Sequence, residues 1–145
     1  MAHAEKTVVI QRPVAEVFQF ILDGENNKLW RHSVTEIKRS TSKPDRVGAK
    51  FMQRNKGPCG RQISADYEIT ECEANKVVSF KVTTGPARPL GTFILEKDGA
   101  GTKVTFKLHY EPRGFAKLMD SVINKTMQSE VAALVEMKTY MEAKK

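Results

Sequence analysis

Between residues 34 and 110 apolar and polar side chains alternate with a period of two, and beyond residue 113 the period becomes that of a helix. Ile63, Ala65, Tyr67 and Ile69 fall on one side of their run, while Gln62, Ser64, Asp66, Glu68 and Thr70 fall on the other. Val78, Phe80 and Val82 alternate with Ser79, Lys81 and Thr83; Val104, Phe106, Leu108 and Tyr110 alternate with Thr105, Lys107 and His109. Successive side chains of a strand point to opposite faces, so each run has one apolar and one polar face. A sheet made of such strands is covered on one side only.

Six runs carry this pattern: 34–40, 50–55, 61–72, 77–83, 90–97 and 103–110. Between them Lys43-Pro44-Asp45, Gly57-Pro58, Glu73-Ala74-Asn75, Gly85-Pro86 and Asp98-Gly99-Ala100-Gly101 supply turn chemistry. Short connections of this kind join antiparallel neighbours. The cover must come from the C-terminal segment, 113–143, which has no proline and a single glycine, Gly114. A helix of about 30 residues there would be about 45 Å long. Its apolar positions Phe115, Leu118, Met119, Val122, Ile123, Met127, Val131, Leu134, Met137 and Met141 follow helical spacing. The pattern predicts one long amphipathic helix lying across a curved antiparallel sheet.

The N-terminal part adds a strand and a small helical insert. Residues 5–11 contain Val8, Val9 and Ile10 and read as a first strand, after which Pro13 takes the first position of a helix. Val14, Val17, Phe18 and Ile21 recur at helical spacing, with Phe20 and Leu22 widening the apolar face. Asp23-Gly24 stops this helix, and a second short turn over 25–30 leads to Trp30, the only tryptophan. Two short helices after the first strand would plug one end of the sheet that the long helix grips.

Composition excludes several classes. With 145 residues the chain is expected to fold as a single domain, 1–145. No run approaches the ~20 apolar residues of a membrane span. Residues 1–13 lack the apolar stretch and cleavage site of a secretory signal, so a cytoplasmic location is expected. The net charge of +7 is spread along the chain, often beside acids. Its densest part, Lys28 to Arg61, reads as a solvated surface or as a weak contact for an acidic partner. No nucleic-acid partner is expected, and the chain is expected to be a monomer or weak homodimer. Cys59 and Cys72 have neither zinc nor CxxC spacing; they read as two reduced thiols, or as a disulfide if the strands bring them opposite each other. No metal and no cofactor is implied.

The order of elements resembles a known family. Strand, short helix pair, six antiparallel strands and long C-terminal helix are similar to the helix-grip fold of the START/Bet v 1-like superfamily. The stretch Pro13-Val14-Ala15-Glu16-Val17-Phe18, followed by Asp23 and Trp30, resembles its polyketide cyclase/dehydrase-like (SRPBCC) branch. So do Gly91-Thr92-Phe93 and the turn Gly99-Ala100-Gly101-Thr102-Lys103-Val104-Thr105. The resemblance spans nearly the whole chain. It implies an α+β domain of about seven curved antiparallel strands around a long C-terminal helix, with an apolar cavity between them. It further implies a small hydrophobic ligand of lipid, polyketide or aromatic type. Some members are cyclases or dehydratases, so an enzyme using the same cavity is the alternative, and a protein-interaction module using the basic segment is a third reading.

The cavity candidates follow from the inward strand faces. Phe51, Ile63, Tyr67, Phe80, Phe93, Phe106 and Tyr110 are expected to face Leu118, Met119, Val122 and Met137 of the helix, with Trp30 at the mouth or beneath the short helices. Each of these also reads as ordinary core filling. Tyr67 and Tyr110 are polar handles that could orient a ligand carbonyl or hydroxyl. For acid–base work the candidates are Tyr67, His32 and Glu130, with Arg61 and Gln53 as further inward polar groups. No Ser/His/Asp set, phosphate loop, dinucleotide fingerprint or zinc cluster is present in the sequence.

Overall fold

The computed structural model describes residues 2–57, 60–85, 88–110 and 120–143. Its strands are β1 (Ala2–Ile10), β2 (Val34–Arg39), β3 (Lys50–Lys56), β4 (Gln62–Ser64), β5 (Tyr67–Glu73), β6 (Val77–Val82), β7 (Leu90–Asp98) and β8 (Gly101–Tyr110). The helices are α1 (Val14–Leu22), α2 (Asn27–Trp30), α3 (Asp120–Ala132) and α4 (Leu134–Glu142), with a 3-10 turn at Gly24–Asn26.

Seven strands form one curled antiparallel sheet in the order β1-β8-β7-β6-β5-β3-β2, and β4 pairs with β3 off this path. The first strand closes against the last, in register from Ala2 opposite Tyr110 to Ile10 opposite Thr102. Strands consecutive in sequence give the other neighbours, except that β5 pairs with β3 beyond the intervening β4. The run 61–72, expected as one strand, is split into β4 and β5 at Ala65-Asp66. The Asp66 carboxylate accepts the Gln53 backbone N–H at 3.0 Å, a donor that a continuous strand's carbonyl would otherwise take. Thr84 Oγ1 accepts from the Asp66 N–H at 2.9 Å and completes the corner.

The short helices behave as their sequence requires. Pro13, extended at φ −60° and ψ 146°, is the N-cap of α1 and Val14 its first helical residue, one position later than expected. Val17, Phe18, Phe20, Ile21 and Leu22 are buried. Asp23 ends α1, and its side chain accepts from the Glu25 N–H at 3.1 Å, capping the 3-10 turn.

The C-terminal helix is interrupted where one continuous helix was expected. Ala133 separates α3 from α4, its N–H shared between the carbonyls of Ser129 and Glu130, both at 3.2 Å. The buried stripe nevertheless runs through the break: Ile123, Met127, Val131, Leu134, Met137 and Met141 are all below a tenth exposed. The expected start of the helix, at 113–119, lies outside the described residues.

The core between sheet and helices is dominated by aromatic rings. Phe93 and Phe106 stack at 4.2 Å with a 12° interplanar angle, and Trp30 stands edge-on to both, at 6.1 and 5.9 Å. Phe51 stacks on Tyr67 at 5.1 Å, which in turn meets Phe80 at 5.2 Å. This aromatic layer continues from the short helices across the inner face of the sheet. Offset and edge-on arrangements of this kind add about 1 kcal/mol per pair to the burial of the rings.

Candidate functional site

Helix α3 packs against β1 and β8, at one side of the curled sheet. The opposite side, formed by β3, β4 and β5, therefore stands away from it. The gap is a cavity of about 500 Å³, within the ~300–1,000 Å³ range of small-molecule sites. Ile63, Ala65, Val82 and Leu108 line it from the sheet side, and Ile123 and Met127 from α3. Tyr67 and Phe80 form part of the same wall. Its rim carries exposed Arg61, Gln62, Ser64, Val122 and Thr126, so the space opens to solvent.

Two glycines shape this wall. Phe80 pairs with Gly91 across β6 and β7, and a Cβ at Gly91 would lie 2.1 Å from the Phe80 ring. The ring thus lies over bare backbone. A Cβ at Gly24 would lie 1.9 Å from the Tyr67 hydroxyl and 2.9 Å from the Phe51 ring. The 3-10 turn must therefore carry glycine for the Tyr67 phenol to fit beneath it.

A chain of polar side chains crosses the apolar wall. The Asn27 Nδ2 amide donates to Gln53 Oε1 and to the Tyr67 hydroxyl, each at 3.1 Å. Gln53 Nε2 donates in turn to Asn55 Oδ1 at 3.0 Å. Gln53 is only 2% exposed, a buried polar group held by these partners. Burial pushes the Tyr67 phenol well above the ordinary tyrosine range, against the smaller opposing effect of the Asn27 hydrogen bond. Tyr67 therefore remains a neutral phenol able to donate a proton in a hydrogen bond.

Beside this chain lies a buried ion pair. Arg31 Nη2 donates to Glu130 Oε2 at 2.7 Å and Nε to the same oxygen at 3.2 Å. The Ser33 hydroxyl donates to Glu130 Oε1. Desolvation raises the Glu130 carboxyl, but the Arg31 charge and the hydrogen bonds from Ser33 and Arg31 outweigh it and hold the group below the usual glutamate value. Both residues line the cavity, and their charges cancel.

The structure divides the sequence candidates. Ile63, Tyr67, Phe80, Val122 and Glu130 stand on the cavity wall, with Gln53 and Arg61. Trp30, Phe51, Phe93, Phe106, Tyr110 and Met137 lie in the core and do not line this space. Leu118 and Met119 fall outside the described residues. His32 is on the surface, its side chain 75% exposed and 3.7 Å from Glu136, away from the cavity. Asn27, Arg31, Ser33 and Asn55 were not singled out as site residues. A buried arginine flanked by the buried Trp30 has no periodic signature, and Arg31 instead read as one charge of the basic segment.

That segment is less of a patch than the sequence implies. Arg31 is consumed by Glu130, and Arg39 lies between Asp23, at 2.7 Å, and Asp45. Cys72 is a free, half-buried thiol, its pKa raised by desolvation, and Cys59 lies outside the described residues. Among the described residues no cluster of His, Cys, Asp and Glu could hold a metal ion, and no helix is long and apolar enough to cross a membrane.

Comparison with known proteins gives one family and one fold. Residues 1–142 match the family described as polyketide cyclase / dehydrase and lipid transport. TTHA0849 from Thermus thermophilus is 20% identical and superposes with a TM-score of 0.79, covering 98% of this chain and 99% of that one. Major latex-like protein 151 from Panax ginseng is 16% identical with a TM-score of 0.75, covering 98% and 95%. A START superfamily protein from Mycobacterium smegmatis is 13% identical with a TM-score of 0.75, covering 97% and 99%. The shared architecture, a curled antiparallel sheet gripping a long C-terminal helical segment, is the helix-grip fold of START and Bet v 1-like proteins. No curated protein matches the sequence.

Proposed function

This chain belongs to the polyketide cyclase/dehydrase and lipid transport family, and on that premise we propose that it binds a small hydrophobic molecule of lipid, polyketide or aromatic type between the sheet and α3. The observation that carries the reading is the cavity of about 500 Å³ with Ile63, Phe80, Val82, Leu108, Ile123 and Met127 in its wall. Open to solvent, this apolar lining is in contact with water, and a hydrophobic ligand that covers it removes both surfaces from water. Each Å² of apolar ligand surface removed from water would contribute roughly 25 cal/mol.

Binding fits the polar groups better than acid–base catalysis does. The Glu130 carboxylate is held ionised by Arg31 and Ser33, which leaves it a poor proton donor and a weak base. Among the described wall residues, Tyr67 is the candidate to assist a reaction in the alternative, cyclase- or dehydratase-like, reading.

The test is to incubate the purified protein with a cell extract and identify what it retains by native and denaturing mass spectrometry. Retention of a small apolar molecule, released on denaturation and lost in a folded Ile63→Arg variant, supports the proposal. Retention of macromolecules alone, with the cavity empty in every extract, would favour the interaction-module reading.

A further inference from the structure

A second and much smaller cavity, of about 10 Å³, adjoins the first. Arg31, Tyr67 and Phe80 line both. Asn27 is its third polar lining residue, and the rest of the lining is apolar, Ile21, Ile69 and Val78 included. Every residue around it is less than a tenth exposed. Its volume is that of a single water, which needs roughly 10–15 Å³ and two to four polar partners.

The three polar residues have complementary hydrogen-bonding capacity to offer. Asn27 Nδ2 donates to Gln53 Oε1 and to the Tyr67 hydroxyl, while among the described residues no donor reaches Asn27 Oδ1. The Tyr67 oxygen accepts from Asn27, and its own hydrogen meets no acceptor among those residues. Arg31 directs Nε and Nη2 to Glu130 Oε2, which leaves the Nη1 hydrogens unassigned. An amide oxygen, a phenol O–H and a guanidinium N–H thus border a space of one water. Buried groups of this kind are costly to leave unpaired.

The chemistry of the lining selects a neutral occupant that both donates and accepts. The Arg31 charge is already balanced by Glu130 at 2.7 Å, so an added ion of either sign would be buried without a counter-charge. An apolar group would satisfy none of the three residues. We propose that this cavity is a binding site for one structural water, which donates to Asn27 Oδ1 and accepts from the Tyr67 O–H and from Arg31 Nη1. Burial keeps the Tyr67 phenol protonated, the form that can donate.

The water joins two hydrogen-bonded groups that share no bond of their own. One is Glu130 with Arg31 and Ser33; the other is Tyr67, Asn27, Gln53 and Asn55. One polar network then runs from α3 through the helical insert to β3, along the wall of the large cavity. Nothing in this depends on what occupies that larger space.

The test is a high-resolution crystal structure of the protein, with water-to-methyl cross-relaxation measured in solution. Density for one water within about 3 Å of Asn27 Oδ1, the Tyr67 oxygen and Arg31 Nη1 is expected, with cross-peaks from water to the Ile69 and Val78 methyls. A dry cavity, or one closed by a direct bond between the three side chains, overturns the proposal. Asn27→Leu removes the acceptor and keeps the Tyr67 hydroxyl, so both the density and the cross-peaks are expected to be lost. Cross-peaks that persist in that variant would arise from the hydroxyl proton rather than from a water, and a water that persists unmoved would show that Asn27 does not hold it; either outcome overturns the assignment. Should Asn27→Leu fold poorly, Tyr67→Phe tests the donor side: the water is expected to lose occupancy and shift toward Arg31, and an unchanged water overturns the part given to Tyr67.

Discussion

Arg31 Nη2 lies 2.7 Å from Glu130 Oε2, with the two side chains 9% and 10% exposed. The pair joins the residue after α2 to the last turn of α3 across 99 positions of sequence. It fixes the helical insert against the C-terminal helix and forms one end of the cavity wall.

Glu130→Gln is expected to leave the Arg31 guanidinium buried without a counter-charge and to lower stability by about 3 kcal/mol at neutral pH. The carboxyl sits below its ordinary value of 4.5 in the folded state. The unfolded chain therefore binds the proton first as pH falls, so this stabilisation is complete above that value and is lost as pH drops through the folded-state pKa. Urea denaturation of both proteins across the acid range should show their stabilities converging there. A gap that stays constant or widens on acidification would refute the linkage.

Gly91→Ala places a methyl group in the space the Phe80 ring occupies, 2.1 Å from its Cζ. Overpacking of this kind costs about 1–3 kcal/mol. Because Phe80 lines the cavity, its forced movement should also change apolar probe affinity several-fold. Chemical denaturation and probe titration check the two effects; no change in either would mean that the ring relaxes freely.

Gly24→Ala meets the Tyr67 hydroxyl at 1.9 Å and is expected to destabilise by about 2 kcal/mol. Tyr67→Phe removes the clashing oxygen, so in that background the same glycine change should cost less, with the Phe51 contact at 2.9 Å left as the remainder. A double-mutant cycle measures this coupling, expected at about 1 kcal/mol. Additive effects would show that the two residues do not share the space.

Arg39→Ala should matter far more than Arg54→Ala. Arg39 is 13% exposed, joins Asp23 and the 5%-exposed Asp45, and lies 5.1 Å over the Phe51 ring. Burial raises the Asp45 carboxyl, against which the Arg39 charge is the largest opposing effect; losing Arg39 is expected to cost about 3 kcal/mol. Arg54 and Glu36 are each 54% exposed and 3.9 Å apart, a contact worth under about 1 kcal/mol. Thermal unfolding of the two variants should separate them clearly.

Local chemistry made the strands legible. Alternation in 77–83 and 90–97 depends only on which neighbour a strand residue faces, and the observed strands Val77–Val82 and Leu90–Asp98 lie within a residue or so of those limits. The split at Asp66 was not legible, because it depends on a carboxylate reaching a backbone N–H of another strand. The break at Ala133 has no proline or glycine to announce it. Arg31 and Asn27 were missed at the site for a related reason: one reads as surface charge and the other as a turn residue until the fold buries them beside Glu130 and Tyr67.

By itself the sequence determined which face of each strand is apolar, where the chain turns, and that a helical C-terminal stripe must cover the sheet, since periodicity and turn chemistry act between near neighbours. The tertiary structure alone decided that α3 settles toward β1 and β8, leaving space over β3–β5. It likewise decided that one arginine cancels one glutamate in the wall of that space. Both depend on distances between residues far apart in the chain, which packing sets and no local pattern encodes.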